Sequence, residues 1–327
     1  VAVEIDSEGY ARGFEVGRRS YRELQHKALS FSKAKVVLSC PEDAWRLTLR
    51  ADRVEREQTD AMDDGNIMDS LLTASNPYDP INYPVLQMTA PTKKATEPVS
   101  YSDWNGLRII EADTLQTAAA KLCASRARAE DLTPVLLHKF TREVDRAQDM
   151  LIRMELAGFD RSKYLYQVSL YWTEEAKNGM RVQCRGRLDF LSHDWTSIVD
   201  LKRVEDLAQL SLERSVDRYK WAMQAAAYSR AVVRLLQAQI IPDADVPRFG
   251  VDVPTWHWLF ARTSPVVACT LRPADAALLQ AGEAAWNRAV NDWAEGLATG
   301  LWRGHESDHT PLNPTSWALD QMEVDLV

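Results

Sequence analysis

The sequence is poor in the residues that build stapled or metal-ribbon proteins. Its four cysteines, Cys40, Cys123, Cys184 and Cys269, lie far apart and form no C-x-x-C pair. That spacing excludes a zinc ribbon or a disulfide framework and leaves buried free thiols as the expectation. An iron–sulfur cluster is not expected, because its cysteine ligands usually gather locally. The six histidines are equally scattered, and the one close pair, His305 and His309, falls in a Pro- and Asp-rich tail and reads as solvated. Long hydrophobic runs are also lacking. The most apolar stretch, 221–241, is interrupted by Gln224, Arg230, Arg234 and Gln237, too polar for the roughly 20 apolar residues of a bilayer span. Glu4, Asp6 and Glu8 stand where a secretory signal would carry a basic and then an apolar segment, so a cytoplasmic protein is expected. Positive charge is in deficit, with 39 Lys and Arg against 47 Asp and Glu and a net charge of -8. Coating of nucleic acid or anionic membrane through bulk charge is thereby excluded, although a local basic channel is not.

What is present is an ordinary globular composition, 46% hydrophobic and 26% charged over 327 residues, which suits one large domain. Residues 21–50 read as a lead-in and a helix capped by Ser30 or Ser32 and interrupted by Pro41. A second helix over 60–74 turns Met62, Ile67, Leu71 and Leu72 inward. Gly65 in its middle costs roughly 1 kcal/mol relative to Ala, so something is expected to approach the backbone there. Residues 75–103, rich in Pro, Asn, Tyr and Thr, read as an extended, mobile excursion. Helical patterns over 111–129 and 134–157 complete a mainly helical N-terminal part, 21–157.

After Gly158 the hydrophobic period changes to alternation, and 164–172, 181–191 and 197–204 read as three consecutive strands. A long helix over 213–241 follows. Residues 256–271 are strand-like with a break at 263–265, and 273–301 is an amphipathic helix with Leu279, Trp286, Val290, Trp293 and Leu297 on its core stripe. The division is thus a core over 158–271 and a C-terminal helix and tail over 272–327. Helices around a short mixed sheet make an α/β (α+β) fold.

The informative stretch is C-R-G-R-L-D-F-L-S-H-D-W-T-S-I-V-D-L-K, residues 184–202. Side chains alternate faces along a strand, so Arg185, Arg187 and Asp189 share one face, and Asp200 and Lys202 project together from the next strand. Two antiparallel neighbours turning at 192–194 would bring Asp189, Asp200 and Lys202 into one cluster. Adjacent carboxylates repel and raise their own pKa values unless a cation neutralises them. A hard divalent ion, Mg²⁺ or Mn²⁺, suits such oxygen donors, and the Leu201 carbonyl lies between the two outward side chains to join them. Lys202 would then orient a metal-bound water or stabilise charge on a scissile phosphate. From spacing alone the pattern is equally served by an edge hairpin with surface ion pairs worth about 0–1 kcal/mol. The following helix shifts the balance. Lys220, Gln224 and Tyr228 recur every fourth residue and present a cation, an amide and a phenol on one face, while Trp221, Ala225 and Val232 lie on another.

The ordered set Asp189, then D-L-K at 200–202, then Q-A-A-A-Y at 224–228, resembles the RecB-like branch of the PD-(D/E)XK nuclease superfamily. Within it, S-L-Y-W at 169–172, C-R-G-R-L-D at 184–189, I-V-D-L-K at 198–202 and R-S-V-D-R-Y-K-W-A-M-Q-A-A-A-Y at 214–228 resemble the core block of the RecE-type exonuclease VIII group. S-F-S-K-A-K and C-P-E-D-A-W within 30–45, and G-N-I-M-D-S-L-L at 65–72, are similar too, so the likeness runs from about residue 30 to 271. Asp69 stands where the family's G-T-x-x-H-x-L-L has its metal-holding His, and an Asp also ligates Mg²⁺. Gln167 stands where related sequences commonly carry a Glu, with Glu155 or Glu174 as candidates to replace that carboxylate.

The resemblance implies a restriction-endonuclease-like nuclease domain and an Mg²⁺-dependent exonuclease, with Mn²⁺ able to substitute. The implied activity resects linear double-stranded DNA from the 5′ end and leaves a 3′ single strand for an annealing partner in phage-type recombination. A ring-like homo-oligomer would fit that activity. Asp69, Asp189, Asp200 and the Leu201 carbonyl would hold metal, Lys202 would position the attacking water, and Gln224 and Tyr228 would steady the scissile strand. Arg185, Arg187, Lys220, Arg126, Arg128, Lys93 and Lys94 are the candidate phosphate contacts. Two alternatives stand beside it: a structure-specific or defence-related endonuclease on the same fold, and an inactive nuclease fold that only binds DNA.

Overall fold

The computed structural model describes residues 2–7, 10–16, 28–50, 60–73, 86–88, 98–130, 132–238 and 253–304, with backbone alone for 2 and 60–64. The chain opens with a hairpin, β1 (Ala2–Ile5) and β2 (Ala11–Val16). Helices α1 (Phe31–Ser39) and α2 (Pro41–Thr48) follow, the first capped by Ser30 through the Lys33 N–H. Pro41, which lacks an N–H and suits a first helical turn, divides the expected single helix in two. Next comes α3 (Asp60–Leu72), whose Ile67, Met68, Leu71 and Leu72 are buried.

The N-terminal part is less helical than its composition suggests. Strands β3 (Leu86–Met88), β4 (Val99–Trp104) and β5 (Leu107–Glu111) precede α4 (Ala118–Ala129), and β6 (Thr133–Leu136) precedes α5 (Leu137–Leu156). The strands form a second, four-stranded sheet in the order β3-β4-β5-β6. Most of the excursion expected over 75–103 lies outside the described residues, as do Lys93, Lys94, His305 and His309. Its described parts are strands of this sheet.

The three alternating segments are β7 (Tyr164–Glu175), β8 (Arg181–Ser192) and β9 (Ser197–Arg203). The long helix expected over 213–241 is two, α6 (Gln209–Arg218) and α7 (Trp221–Gln237). The break falls at Lys220, whose φ of 58 is left-handed and ends helical propagation. Strands β10 (Thr255–Arg262) and β11 (Ala268–Pro273) and helix α8 (Ala276–Thr299) complete the order. The main sheet is a seven-stranded mixed sheet, β1-β2-β7-β8-β9-β10-β11, in which only β9 and β10 run parallel.

Helices flank this sheet on both faces, so its strands must be apolar on both sides. One core takes Ile198, Trp256, Trp258 and Phe260 from the sheet and packs them against α1, α6, α7 and α8, including Trp286 and Trp293. The other takes Val199, Leu259 and Ala261 and packs them against α3 and α5 and the second sheet. Alternation along β9 and β10 thereby sends Asp200 and Lys202 toward the α7 side and Leu201 toward the α3 side. The cysteines are free thiols, three buried and Cys269 half-buried, and burial pushes the Cys184 thiol well up. No helix among the described residues is long and apolar enough to cross a membrane.

Candidate active site

The site arises where two strands part. Strands β8 and β9 pair only at Phe190 with Val199 and Leu191 with Ile198, after which β9 continues alongside β10 to Arg203. The next partners in that antiparallel register would be Asp189 and Asp200. They stand at the fork instead, and the Asp189 Oδ2 accepts the Leu201 N–H at 2.8 Å, replacing a ladder bond with a side chain. Further along, the free edge of β8 is taken by Leu29, which exchanges hydrogen bonds with Gln183 and Arg185.

A second distortion sits on the other side of Asp189. Tyr166 pairs with Phe190 and Val168 with Leu188, but the intervening Gln167 and Asp189 are missing from the ladder. Gln167 has a left-handed φ of 51. Consequently Leu165, Val168, Leu188 and Leu191 reach one core, while Tyr166 and Phe190 reach the other. Strict alternation would have kept Tyr166 with Val168. Both strands change face at Gln167 and Asp189, where the ladder is interrupted.

The Gln167 amide donates to Asp69 Oδ1 at 2.8 Å, tying α3 to the fork. Across the fork, Lys202 Nζ stands 2.6 Å from Asp200 Oδ2 and donates to Gln224 Oε1 at 3.0 Å, while Gln224 Nε2 donates to Asp200 Oδ1 at 3.1 Å. Asp69, Asp189, Asp200, Leu201, Lys202 and Gln224 line one cavity of about 250 Å³. Larger cavities occur elsewhere, including one of about 450 Å³ beside α6, α7 and α8, which none of these acids lines. Gly65 borders the small cavity, yet a Cβ there would meet no atom within 4 Å. The expected close approach to its backbone is therefore not made by the described residues.

Burial pushes the Asp189 carboxyl well above the ordinary carboxylate range, reinforced by Asp200 and Asp69 and opposed by Lys202 and the Leu201 N–H. Burial raises Asp200 as well, but the adjacent Lys202 ammonium works against the rise. Three acids converge with one cation among them, a surplus of negative charge in a desolvated place.

The oxygens of Asp69, Asp189, Asp200 and Leu201 are of the chemical kind a hard divalent cation such as Mg²⁺ or Mn²⁺ takes. Gln167 Oε1 is buried without a hydrogen-bond donor, and Asp200 Oδ2, also buried, meets the Lys202 ammonium as an ion pair without hydrogen-bond geometry. Among the described residues, no three His, Cys, Asp or Glu side chains are drawn into a ready ligand set. Protein cations and N–H donors occupy the carboxylates instead: Gln167 on Asp69, Leu201 on Asp189, and Gln224 with the Lys202 ammonium on Asp200.

Other expected site residues are placed elsewhere. Tyr228 is 5% exposed and packs in the core against Trp172 and Trp256. Its ring lies on Gly186, where an added Cβ would be 2.4 Å from it, so it fastens α7 to β8 rather than lining the cavity. Lys220 precedes α7, pairs with Asp217 at 3.1 Å and lines the larger cavity, which breaks the expected Lys220–Gln224–Tyr228 stripe. Arg185 and Arg187 sit further along β8, and Arg126 and Arg128 sit on α4, outside the lining. Neither expected substitute for the carboxylate that Gln167 replaces reaches the site. Glu155 is exposed on α5, and Glu174 is buried, accepting from the indoles of Trp172 and Trp286 and pairing with Arg234 at 2.7 Å. Sequence reasoning missed the direct Gln167–Asp69 bond and the placement of Trp221, whose ring lies 5.4 Å from Lys202 Nζ. Nothing in the local pattern signalled either.

No family model matches the chain, and no curated protein matches its sequence. Among solved structures, a candidate exonuclease from Eubacterium rectale is similar in fold, with a TM-score of 0.52 at 12% identity, covering 97% of this chain and 98% of that one. The likeness extends over the whole length and shows a shared mixed α/β architecture.

Proposed function

We propose that the chain is a divalent-metal-dependent deoxyribonuclease of the RecE-type exonuclease VIII group. In this reading it resects linear double-stranded DNA from the 5′ end and leaves a single strand for an annealing protein. The observation that carries the reading is the convergence of Asp69, Asp189, Asp200, Lys202 and Gln224 on one cavity at the β8–β9 fork. The fold shared with the E. rectale candidate exonuclease supports it.

Asp69, Asp189, Asp200 and the Leu201 carbonyl are the residues to hold Mg²⁺ or Mn²⁺. When bound, such an ion polarises a phosphoryl oxygen and lowers the pKa of a coordinated water. Lys202, exchanged from Asp200 Oδ2, places its ammonium beside the attacking water and the developing charge on the phosphate. Gln224 positions Lys202 by accepting from its Nζ, and Gln167 positions Asp69. The buried walls of the fork limit the water that reaches the phosphate. Digestion of linear DNA in Mg²⁺ with sparing of a closed circle is the expected result. Nicking or linearisation of the circle would instead favour the endonuclease reading, and DNA binding without cleavage in Mg²⁺ or Mn²⁺ the inactive one.

A further inference from the structure

The α6–α7 junction brings two aromatic rings together in an unusual way. Residues two apart in a continuous helix project to nearly opposite sides. Lys220, left-handed at φ 58, turns the chain so that Tyr219 and Trp221 instead lie face to face, with ring centroids 5.2 Å apart and an interplanar angle of 26°. Non-glycine residues adopt that conformation only at an energetic cost, so the surroundings must hold it. Trp221 is 8% exposed, whereas Tyr219, stacked on it, is 43% exposed.

The stack is anchored at the site. Trp221 lies against Phe260 at 5.9 Å, and Phe260 is the cross-strand partner of Lys202. The Lys202 ammonium is 5.4 Å from the Trp221 ring, and the Arg218 guanidinium is 5.6 Å from the Tyr219 ring. A flat, partly exposed ring, braced from beneath by the indole and with the Arg218 guanidinium over it, is one indole away from the amine that faces the scissile phosphate in the reading above.

The geometry points to Tyr219 as a stacking platform for a nucleobase of the strand held at Lys202. Its ligand is an unpaired base, because only a base freed from its own stack can offer a face to the ring. The adjoining phosphate would lie near Arg218. This inference rests on the nuclease reading and adds a subsite to it.

The test is binding of a short single-stranded oligonucleotide to the full chain in Ca²⁺. Tyr219→Ala should weaken binding about 5- to 150-fold, since a base–aromatic stack is worth about 1–3 kcal/mol. Tyr219→Leu, which keeps apolar cover over Trp221, should lose as much, and Tyr219→Phe should remain within about twofold of wild type. Moving a single abasic site along the oligonucleotide should reveal one position where wild type loses affinity and Tyr219→Ala does not. Unchanged binding by Tyr219→Ala, a loss in Tyr219→Phe equal to that in Tyr219→Ala, or the absence of such a position would overturn the platform while leaving the nuclease reading intact. Wild type that neither binds nor cuts DNA would overturn both.

Discussion

Replacing Asp189 with asparagine is expected to stabilise the metal-free protein while abolishing cleavage. Asp200 has the Lys202 ammonium at 2.6 Å and the Gln224 amide, and Asp69 has the Gln167 amide. The Asp189 carboxylate accepts one backbone N–H and lies within hydrogen-bonding reach of Asp200. A buried ion costs several kcal/mol after relaxation, and one N–H to a charged group offsets about 1.5–3 kcal/mol. Asparagine keeps the acceptor for Leu201, removes the charge, and offers an N–H where the two acids would otherwise share a proton. The net gain should be about 1–3 kcal/mol, or roughly 1.5–4.5 °C in melting temperature for a chain of this size. The gain should depend on pH in a defined direction. The unfolded carboxyl titrates near 3.8 and the folded one well above it, so the folded chain holds that proton more tightly. Asp189 therefore contributes stability fully below the unfolded value and loses it as pH rises through the folded value. The advantage of the amide grows over the same interval and is absent in acid. Adding Mg²⁺ should invert the order, because a ligand at 100 times its Kd stabilises its binding-competent form by about 2.7 kcal/mol and the Asp189→Asn variant, short of one carboxylate, binds it poorly. Thermal melts of both proteins in EDTA and in Mg²⁺ across the pH range decide the matter. A lower melting temperature for the variant in EDTA at neutral pH, or equal Mg²⁺ stabilisation of both proteins, would refute the reasoning.

Lys202→Ala should lower turnover by at least about 100-fold with a much smaller change in DNA affinity in Ca²⁺; lost binding with preserved turnover of bound DNA would make Lys202 a phosphate anchor instead. Asp69→Asn should raise the Mg²⁺ concentration for half-maximal rate, and Asp69→His should retain activity with an altered Mg²⁺-to-Mn²⁺ preference. Flat titrations of both variants would remove Asp69 from the site. Glu174→Ala leaves Arg234 and the indoles of Trp172 and Trp286 without their shared acceptor. With two buried indole N–H groups left unpaired at about 1–3 kcal/mol each, it should cost about 2–5 kcal/mol in denaturant unfolding, yet leave the metal dependence of the folded fraction unchanged. A shifted Mg²⁺ requirement would place Glu174 at the site after all.

Much of the site was legible in the sequence because strand alternation is a local rule. Asp200 and Lys202 had to share a face of any strand, and Ile198 and Val199 had to enter opposite cores. Helix signals were also local: Ser30 as a cap, Pro41 as a break and the Trp286–Val290–Trp293 stripe of α8 depend on near neighbours in the chain. The second sheet was not legible, because β5 and β6 are short and become strands by pairing with each other across α4. Nor was the left-handed Lys220 that divides α6 from α7, since lysine carries no preference for that conformation. Tyr228 marks the same limit: period four put it beside Gln224, but only the packing of α7 on β8 showed its ring held against Gly186. Near-neighbour rules were enough to name Asp189, Asp200 and Lys202 as side chains that could act together, while Asp69 entered only through the family resemblance. How they meet is a tertiary matter, because the parting of β8 from β9 and the change of face at Gln167 and Asp189 depend on contacts between segments distant in the chain.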